Sequence, residues 1–294
     1  MLCADRTHFV LMSSNPESRT PNPGSRIAFI GGGNMARSLI GALVGAGAGA
    51  SSIVVAEPDE ALRNALAGDF GVATQADNAA AVAGADTIVL AVKPQVLHEV
   101  CLALGPAIGE AKPLVISIAA GIRIEQIETW LDRKLPIVRA MPNTPALVGA
   151  GATGLIANSR VDAGARARAE AILGAAGRTA WIDDESLMDT VTALSGSGPA
   201  YFFLLVEALE DAAVAQGLPR ETARLLAGQT CLGAGRMLVE SGEAPATLRE
   251  RVTSPNGTTA AALATFDAGG LRELVADAVD SATRRGRELA ARGA

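Results

Sequence analysis

The stretch Arg26-Ile-Ala-Phe-Ile-Gly-Gly-Gly-Asn-Met-Ala36 limits what this chain can fold into more than any other. A β-prone apolar run, Ile27 to Ile30, meets three glycines, and an apolar-periodic stretch through Leu39, Leu43 and Val44 follows. That order reads as strand, tight turn and helix. Within it, Gly31-x-Gly33-x-x-Ala36 has the G-x-G-x-x-A spacing of a dinucleotide-binding turn. Gly31 permits the turn. Gly33, lacking a Cβ, lets the backbone approach a diphosphate, and Ala36 lets the helix lie close to the strand. The helix start then offers unpaired N–H groups and a positive dipole end to an anion. A ligand-free turn is the alternative, but the strand before and the helix after are what the motif requires.

The 294 residues give room for two domains with sizeable cores. Hydrophobic residues make up 49% and aromatics only 3%, with 32 Gly, a composition suited to closely packed helices. A net charge of −6 argues against nucleic acid or an anionic membrane as partner. No run of about 18 uncharged apolar residues predicts a membrane-spanning helix. Cys3, Cys101 and Cys231 are few, odd in number and far apart, and read as reduced thiols of a cytoplasmic protein. With only His8 and His98, a His-dependent triad or a multi-His metal site has almost no material. His98, in a predicted helix after Pro94, reads as a surface or packing residue. Residues 1–25, irregular in Asn, Ser, Pro and Arg, read as a disordered extension, and Phe9 to Met12 is too short for the core of a signal peptide.

From residue 26 to 183, strands and helices alternate, which predicts a Rossmann-type α/β domain with a parallel sheet. Ser52 to Glu57 is the second expected strand. The carboxylate of Glu57 can accept from ribose hydroxyls, which favours NAD over a 2′-phosphorylated nucleotide, and Arg63 nearby can offset that charge. Alternatively Glu57 opens the next helix, where an acid is favourable. A helix over 59–67, a strand over Val72 to Thr74, a helix from Asn78 to Val82 and a buried strand from Asp86 to Val92 follow. The last ends at Lys93-Pro94. Lys93 is either a ligand contact at the strand's carboxyl end or a solvated loop lysine. Further strands are expected at Leu114 to Ile118, Pro136 to Ala140, Gly151 to Ile156 and Arg178 to Ile182, with helices at Ile124 to Leu131 and Ala163 to Leu173. Ala119-Ala120-Gly121 leaves room for a flat ring, and Asn143 and Thr144, pinned between Pro142 and Pro145, offer neutral hydrogen-bonding groups.

Residues 184–294 read as an all-helical domain. One helix covers 184–194. Ser195-Gly-Ser-Gly-Pro199 is a flexible knot before a long helix from Ala200 to Ala215. That helix is apolar on more than one face (Tyr201, Phe202, Phe203, Leu204, Leu205, Val206, Leu209, Val214), so it must be buried within the domain or against a second subunit. Gly217 and Pro219 end it, Arg220 to Glu240 is the next helix, and Pro245 starts a short one. Val252-Thr-Ser-Pro-Asn-Gly-Thr-Thr259 then forms a turn that delivers Thr258 and Thr259 to a helix running to Phe266. Converging N–H groups and hydroxyls there suit a carboxylate ligand, and a plain threonine N-cap accounts for the same residues. Leu271 to Ala291 is an amphipathic final helix.

Six blocks in one order resemble the pyrroline-5-carboxylate reductase family: Phe29 to Ala36, Ala91 to Pro94, Ser117 to Gly121, Arg139 to Pro145, Leu194 to Tyr201 and Thr253 to Thr259. The resemblance implies a Rossmann domain followed by an all-α dimerisation domain interlocked with that of a second subunit, often in a ring of five dimers. It implies hydride transfer from NADP(H) or NAD(H) to 1-pyrroline-5-carboxylate, giving L-proline as the last step of proline biosynthesis. Carried over by residue, Ile30, Gly31, Gly32, Gly33, Asn34 and Met35 hold the diphosphate beside Ala36. Ala56, Glu57 and Pro58 surround the adenosine ribose, with Asn78 also at the cofactor. Ala91, Val92, Lys93, Pro94, Ala119, Ala120 and Gly121 line the nicotinamide side, and Asn143 joins them. Asn256, Gly257, Thr258 and Thr259 hold the substrate, with the Thr259 hydroxyl by the ring nitrogen as the catalytic group.

Two departures matter. Family members often carry Ser or Thr, able to bind a 2′-phosphate, where this chain has Ala56 and Glu57, so the resemblance leaves NADPH against NADH open. The family's Ser-Pro-Gly-Gly-Thr-Thr turn has Asn256 for its first glycine, a residue that tolerates positive φ. A shortage of histidine fits reduction of an imine without a metal. A β-hydroxyacid dehydrogenase relative would need a lysine in the helical domain, and residues 184–291 contain none. A non-catalytic nucleotide-sensing protein is the alternative from another class.

Overall fold

A computed structural model describes residues 25–292. The expected N-terminal extension, with Cys3 and His8, therefore lies outside the described residues apart from Ser25. The chain divides into two compact units at Trp181/Ile182.

The first unit is built on eight strands: β1 (Ile27–Ile30), β2 (Ile53–Ala56), β3 (Ala73–Gln75), β4 (Thr87–Leu90), β5 (Leu114–Ser117), β6 (Ile137–Met141), β7 (Gly151–Ala157) and β8 (Gly177–Trp181). They lie in the order β3-β2-β1-β4-β5-β6-β7-β8. β1 to β6 are mutually parallel, and β1, β2, β4 and β5 are buried along their whole length. That burial explains their continuous Val/Ile/Leu character. The purely parallel sheet expected from the sequence needs one correction. β7 runs antiparallel to β6, and β8 runs parallel to β7. Residues 142–150, which join β6 to β7, hold only a 3-10 turn (Thr144–Val148), too short for the helical crossover that a parallel pair needs.

The helices of this unit are α1 (Asn34–Gly45), α2 (Glu60–Phe70), α3 (Asn78–Val82), α4 (Pro94–Ile108), α5 (Ile124–Leu131) and α6 (Ala163–Gly174). Most strand ends fall one or two residues from the expected ones. The helix expected over 59–67 begins after Asp59, whose carboxylate caps it, and runs to the left-handed Gly71. The core joins Phe29, Leu39, Ile40, Leu43, Val55 and Leu66 to Ile116, Leu155 and Ile172. His98 packs against Trp130, ring centroids 5.0 Å apart, as a packing residue.

The second unit is helical: α7 (Met188–Val191), α8 (Gly198–Ala215), α9 (Arg220–Glu240), α10 (Pro245–Arg251), α11 (Thr258–Ala268) and α12 (Leu271–Arg292). The single helix expected over 184–194 is instead a 3-10 turn capped by Asp184, then α7, then a π-wound segment, Thr192–Gly196. The flexible knot expected at 195–199 is likewise wound. Ser197 N donates to Thr192 O, an i→i+5 bond, and the Thr192, Ser195 and Tyr201 hydroxyls donate to the carbonyls of Met188, Val191 and Ala193. Such side-chain bonds widen the winding where the sequence shows only Ser and Gly. α8 ends as expected, with Gly217 at positive φ and Leu218 N closing onto Ala213 O. Among the described residues no helix is long and apolar enough to cross a membrane.

Candidate functional site

The strand ends set up the crevice of the first unit. Ile30 is level with both Ala56 and Leu90, and Leu90 with Ser117. The chain crosses from one side of β1 to the other between β3 and β4. The carboxyl ends of β1 and β4 therefore form the crevice at which open α/β sheets take ligands.

Three glycines shape its floor differently. Gly31 has φ +100°, and a Cβ there would lie 2.8 Å from the Ala91 carbonyl oxygen. Its N–H donates to Ala56 O (2.8 Å). Gly32 is packed against Leu66 and the Glu57 side-chain stem. Over Gly33 a Cβ would meet nothing within 4 Å, so the backbone faces open space. Gly33 is also the N-cap of α1, with no side-chain cap and no acid in the first turn. The N–H groups of Asn34, Met35 and Ala36 precede the first intrahelical bond, Arg37 N to Gly33 O. This floor fits a diphosphate. It has bare donors, a positive helix end and room where a side chain would stand.

Glu57 follows β2. Its Oε2 accepts from Gly32 N (2.8 Å) and its Oε1 from Asp59 N (3.1 Å). The alternative in which Glu57 opens the helix is corrected here, because Asp59 caps α2 through Ala61 N and Leu62 N. Arg63 reaches the backbone beside Glu57 rather than its carboxylate. Its Nη1 donates to the carbonyls of Glu57 (2.8 Å) and Pro58 (2.7 Å). The Pro58-Asp59-Glu60 run was the available sequence signal for that cap. Asn78, half-buried, is the first residue of α3, three positions past Gln75, which lies opposite Ala56.

On the other side of β1, Ala91 N donates to Ile30 O (2.8 Å) and Ile118 N to Leu90 O (3.1 Å), placing Ala91 and Ala119 in adjacent turns. Ala91 and Val92 are half-buried, and Lys93 is exposed as the N-cap of α4 with Pro94 at its first position. Ala119 is buried, Ala120 exposed, and Gly121 turns at φ +78°. Asn143 is buried, and its Oδ1 accepts from Ala152 N (2.9 Å), so the side chain ties the β6 end to β7. The structure thus brings Ile30 to Ala36, Ala56 to Pro58, Ala91 to Pro94 and Ala119 to Gly121 to one sheet edge.

The helical unit carries the turn at residues 252–259. Asn256 holds φ +60°, as the departure from glycine anticipated, and Gly257 N donates to Ser254 O (3.1 Å). A Cβ on Gly257 would require the Ser254 hydroxyl to turn away and would lie 3.1 Å from the Ser254 carbonyl oxygen. The threonine N-cap alternative is corrected. Gly257 is the N-cap of α11, again with no side-chain cap and no acid in the first turn, and Thr258 and Thr259 are its first two residues. Their hydroxyls are left for another duty, beside N–H groups that can take a carboxylate.

The long helices also carry large exposed apolar side chains. On α8 these are Phe202, Phe203 (67% exposed), Leu204 and Leu205, on α9 Leu225 and Leu232, and on α12 Leu274 and Val275. Faces of this size mark an association surface.

Residues 185–289 match the family model described as pyrroline-5-carboxylate reductase dimerisation, and residues 26–121 one described as NADP oxidoreductase, coenzyme F420-dependent. A pyrroline-5-carboxylate reductase from Pseudomonas aeruginosa is 51% identical over 265 residues, covering 90% of this chain and 97% of its own length. The solved pyrroline-5-carboxylate reductase of Coxiella burnetii superposes with a TM-score of 0.88 at 46% identity, covering 90% of this chain and 98% of its own. The Plasmodium falciparum enzyme, solved with NADP bound, does so at 0.79 and 29% identity, covering 91% and 99%.

Proposed function

Because this chain belongs to the pyrroline-5-carboxylate reductase family, we propose that its first unit binds the nicotinamide cofactor and its helical unit the substrate. The chain is an NAD(P)H-dependent oxidoreductase that reduces the cyclic imine 1-pyrroline-5-carboxylate to L-proline, the last step of proline biosynthesis. The observation that carries the site assignment is the uncapped start of α1 over the open face of Gly33, at the crossing point of the sheet.

In this reading Ile30 to Met35 hold the diphosphate, and Ala56 to Pro58 with Asn78 enclose the adenosine ribose. Ala91 to Pro94 and Ala119 to Gly121 flank the nicotinamide, and Asn143 steadies that edge through Ala152. When bound, the reduced nicotinamide supplies the hydride that saturates the C=N bond. Asn256 to Thr259 bind the substrate carboxylate at the start of α11. The Thr259 hydroxyl donates a hydrogen bond at the ring nitrogen, which favours the protonated, more electrophilic imine. Small residues at the sheet edge leave a close, dry fit, so orientation supplies most of the acceleration.

The helical unit mediates self-association. We take the exposed faces of α8, α9 and α12 as the surface that interlocks with a second copy, and a ring of five such dimers as the larger assembly. The free thiols of Cys101 and Cys231 support a cytoplasmic setting. Steady-state oxidation of NADH and NADPH with pyrroline-5-carboxylate, with proline identified as the product, tests the reaction. Absence of turnover with either nucleotide would refute it.

A further inference from the structure

We infer that the crevice is built for NADH rather than NADPH, and that the Glu57 carboxylate decides the choice. The inference rests on the reading above that this crevice holds a reduced nicotinamide dinucleotide. Both carboxylate oxygens are pinned, Oε2 by Gly32 N (2.8 Å) and Oε1 by Asp59 N (3.1 Å), which ties the group to the diphosphate turn itself. A carboxylate is acceptor-only and keeps further lone pairs on each oxygen. It can receive the two ribose hydroxyls and can give nothing to a phosphate. A 2′-phosphate brings a charge of roughly −1.5 to −2, so it would be repelled by a carboxylate that cannot swing aside without freeing two N–H groups.

Two other routes to holding a 2′-phosphate are also partly taken up. The start of α2, where a phosphate could sit, is filled by the Asp59 carboxylate on Ala61 N and Leu62 N, with Glu60 in the first turn. The two arginines between β1 and β3 already have partners. Arg63 donates to the Glu57 and Pro58 carbonyls, and Arg37 pairs with Asp69 and lies over the Phe70 ring (5.1 Å). The sequence allowed Arg63 to offset Glu57, whereas its guanidinium instead braces the backbone that presents Glu57.

Equilibrium titration of the full chain by nicotinamide fluorescence tests this with NADH and NADPH, on the unmodified protein and on Glu57→Gln, which keeps the shape and removes the charge. The expected Kd for NADH is at least tenfold below that for NADPH, and Glu57→Gln brings the two within about threefold, chiefly by tightening NADPH. Equal or tighter NADPH binding by the unmodified protein overturns the inference, and so does an unchanged ratio in Glu57→Gln. If that variant melts early, competition by 5′-ADP against 2′,5′-ADP on the unmodified protein decides, and a 2′,5′-ADP that competes as well as 5′-ADP overturns it. Should NADH bind with the expected preference while pyrroline-5-carboxylate is not reduced, the role of Glu57 stands and the reductase reading falls. If neither dinucleotide binds, both fall.

Discussion

Gly31 and Gly33 sit two residues apart in one turn, yet the structure gives them separable jobs, and alanine at each should fail in a different assay. At Gly31, alanine would adopt φ +100° with its Cβ 2.8 Å from the oxygen and 2.9 Å from the carbon of the Ala91 carbonyl. Neither atom can move alone, because Ala91 N is bonded to Ile30 O and Gly31 N to Ala56 O. Positive-φ strain alone is worth about 1–3 kcal/mol. With the backbone overlap added, Gly31→Ala should destabilise the fold by about 2–4 kcal/mol, a Tm decrease of roughly 5–15 °C. At Gly33 the backbone is φ −66°, ψ −178°, open to any residue, and the Cβ meets nothing. Alanine is a poorer N-cap than glycine but has less unfolded-state entropy, so the net stability change should stay within about 0.5 kcal/mol. The methyl would instead stand where the diphosphate approaches, weakening NADH binding on the order of ten- to a hundredfold, about 1.4–2.8 kcal/mol. Calorimetry without nucleotide and fluorescence titration with NADH separate the two effects. A Gly31→Ala protein that melts like the parent, or a Gly33→Ala protein that binds NADH like the parent, would refute the division of labour.

Thr259→Ala should lower kcat/KM for pyrroline-5-carboxylate on the order of tenfold, about 1.4 kcal/mol, with NADH affinity unchanged, and parental kinetics would remove its assigned role. Asn256→Gly should keep substrate affinity because glycine accepts φ +60°, whereas Asn256→Ala should raise KM and lower Tm slightly. Leu204→Glu places a charge on an exposed apolar face, so each protomer should keep its helical circular dichroism while sedimentation velocity shows dissociation. Burial pushes the Cys101 thiol from 9.0 up to about 12. The folded chain holds that proton to a higher pH than the unfolded one, so this contribution to stability is intact below about pH 9 and declines as pH rises toward 12. Urea melts at pH 8 and pH 10 on the parent and on Cys101→Ala check it, the parent being expected to lose more stability than the variant across that interval.

What the sequence disclosed about this fold was what is encoded locally. The β1–turn–α1 unit is readable because Ile27 to Ile30, the glycines and the 3.6-residue pattern of α1 are contiguous, and its register with β2 and β4 follows from the fold type. The reversal at β7 was hidden because strand direction depends on how far residues 142–150 can reach, not on the apolar run Gly151 to Ile156. The π winding at Thr192–Gly196 was hidden because hydroxyl-to-carbonyl bonds leave no periodic trace, and Ser-Gly repeats look like a loop. The tie between Glu57 and Gly32 spans 25 positions and exists only once β1 and β2 are level, so the sequence could nominate Glu57 without saying what holds it.

The pattern of helix starts bears on both ligand assignments. α2, α3 and α6 begin at Asp59, Asp77 and Asp162, each accepting from backbone N–H groups one turn in. Such caps are worth about 1 kcal/mol apiece, and they place a negative charge on the positive helix end. α1 and α11 begin instead at Gly33 and Gly257, without a cap and without an acid in the first turn. Glycine forgoes that stability, and an aspartate there would both satisfy the N–H donors and occupy the place of an incoming anion. α4, α8 and α10 also start without a side-chain cap or a first-turn acid, so a bare start alone does not make an anion site. Under the proposed function, α1 and α11 take the diphosphate of the cofactor and the carboxylate of the imine. On this argument each ligand acts as the missing cap, so binding and helix-end stabilisation are the same interaction. In that reading the chain needs neither of its two histidines: helix starts hold the two anionic reactants, and the Thr259 hydroxyl serves the imine nitrogen.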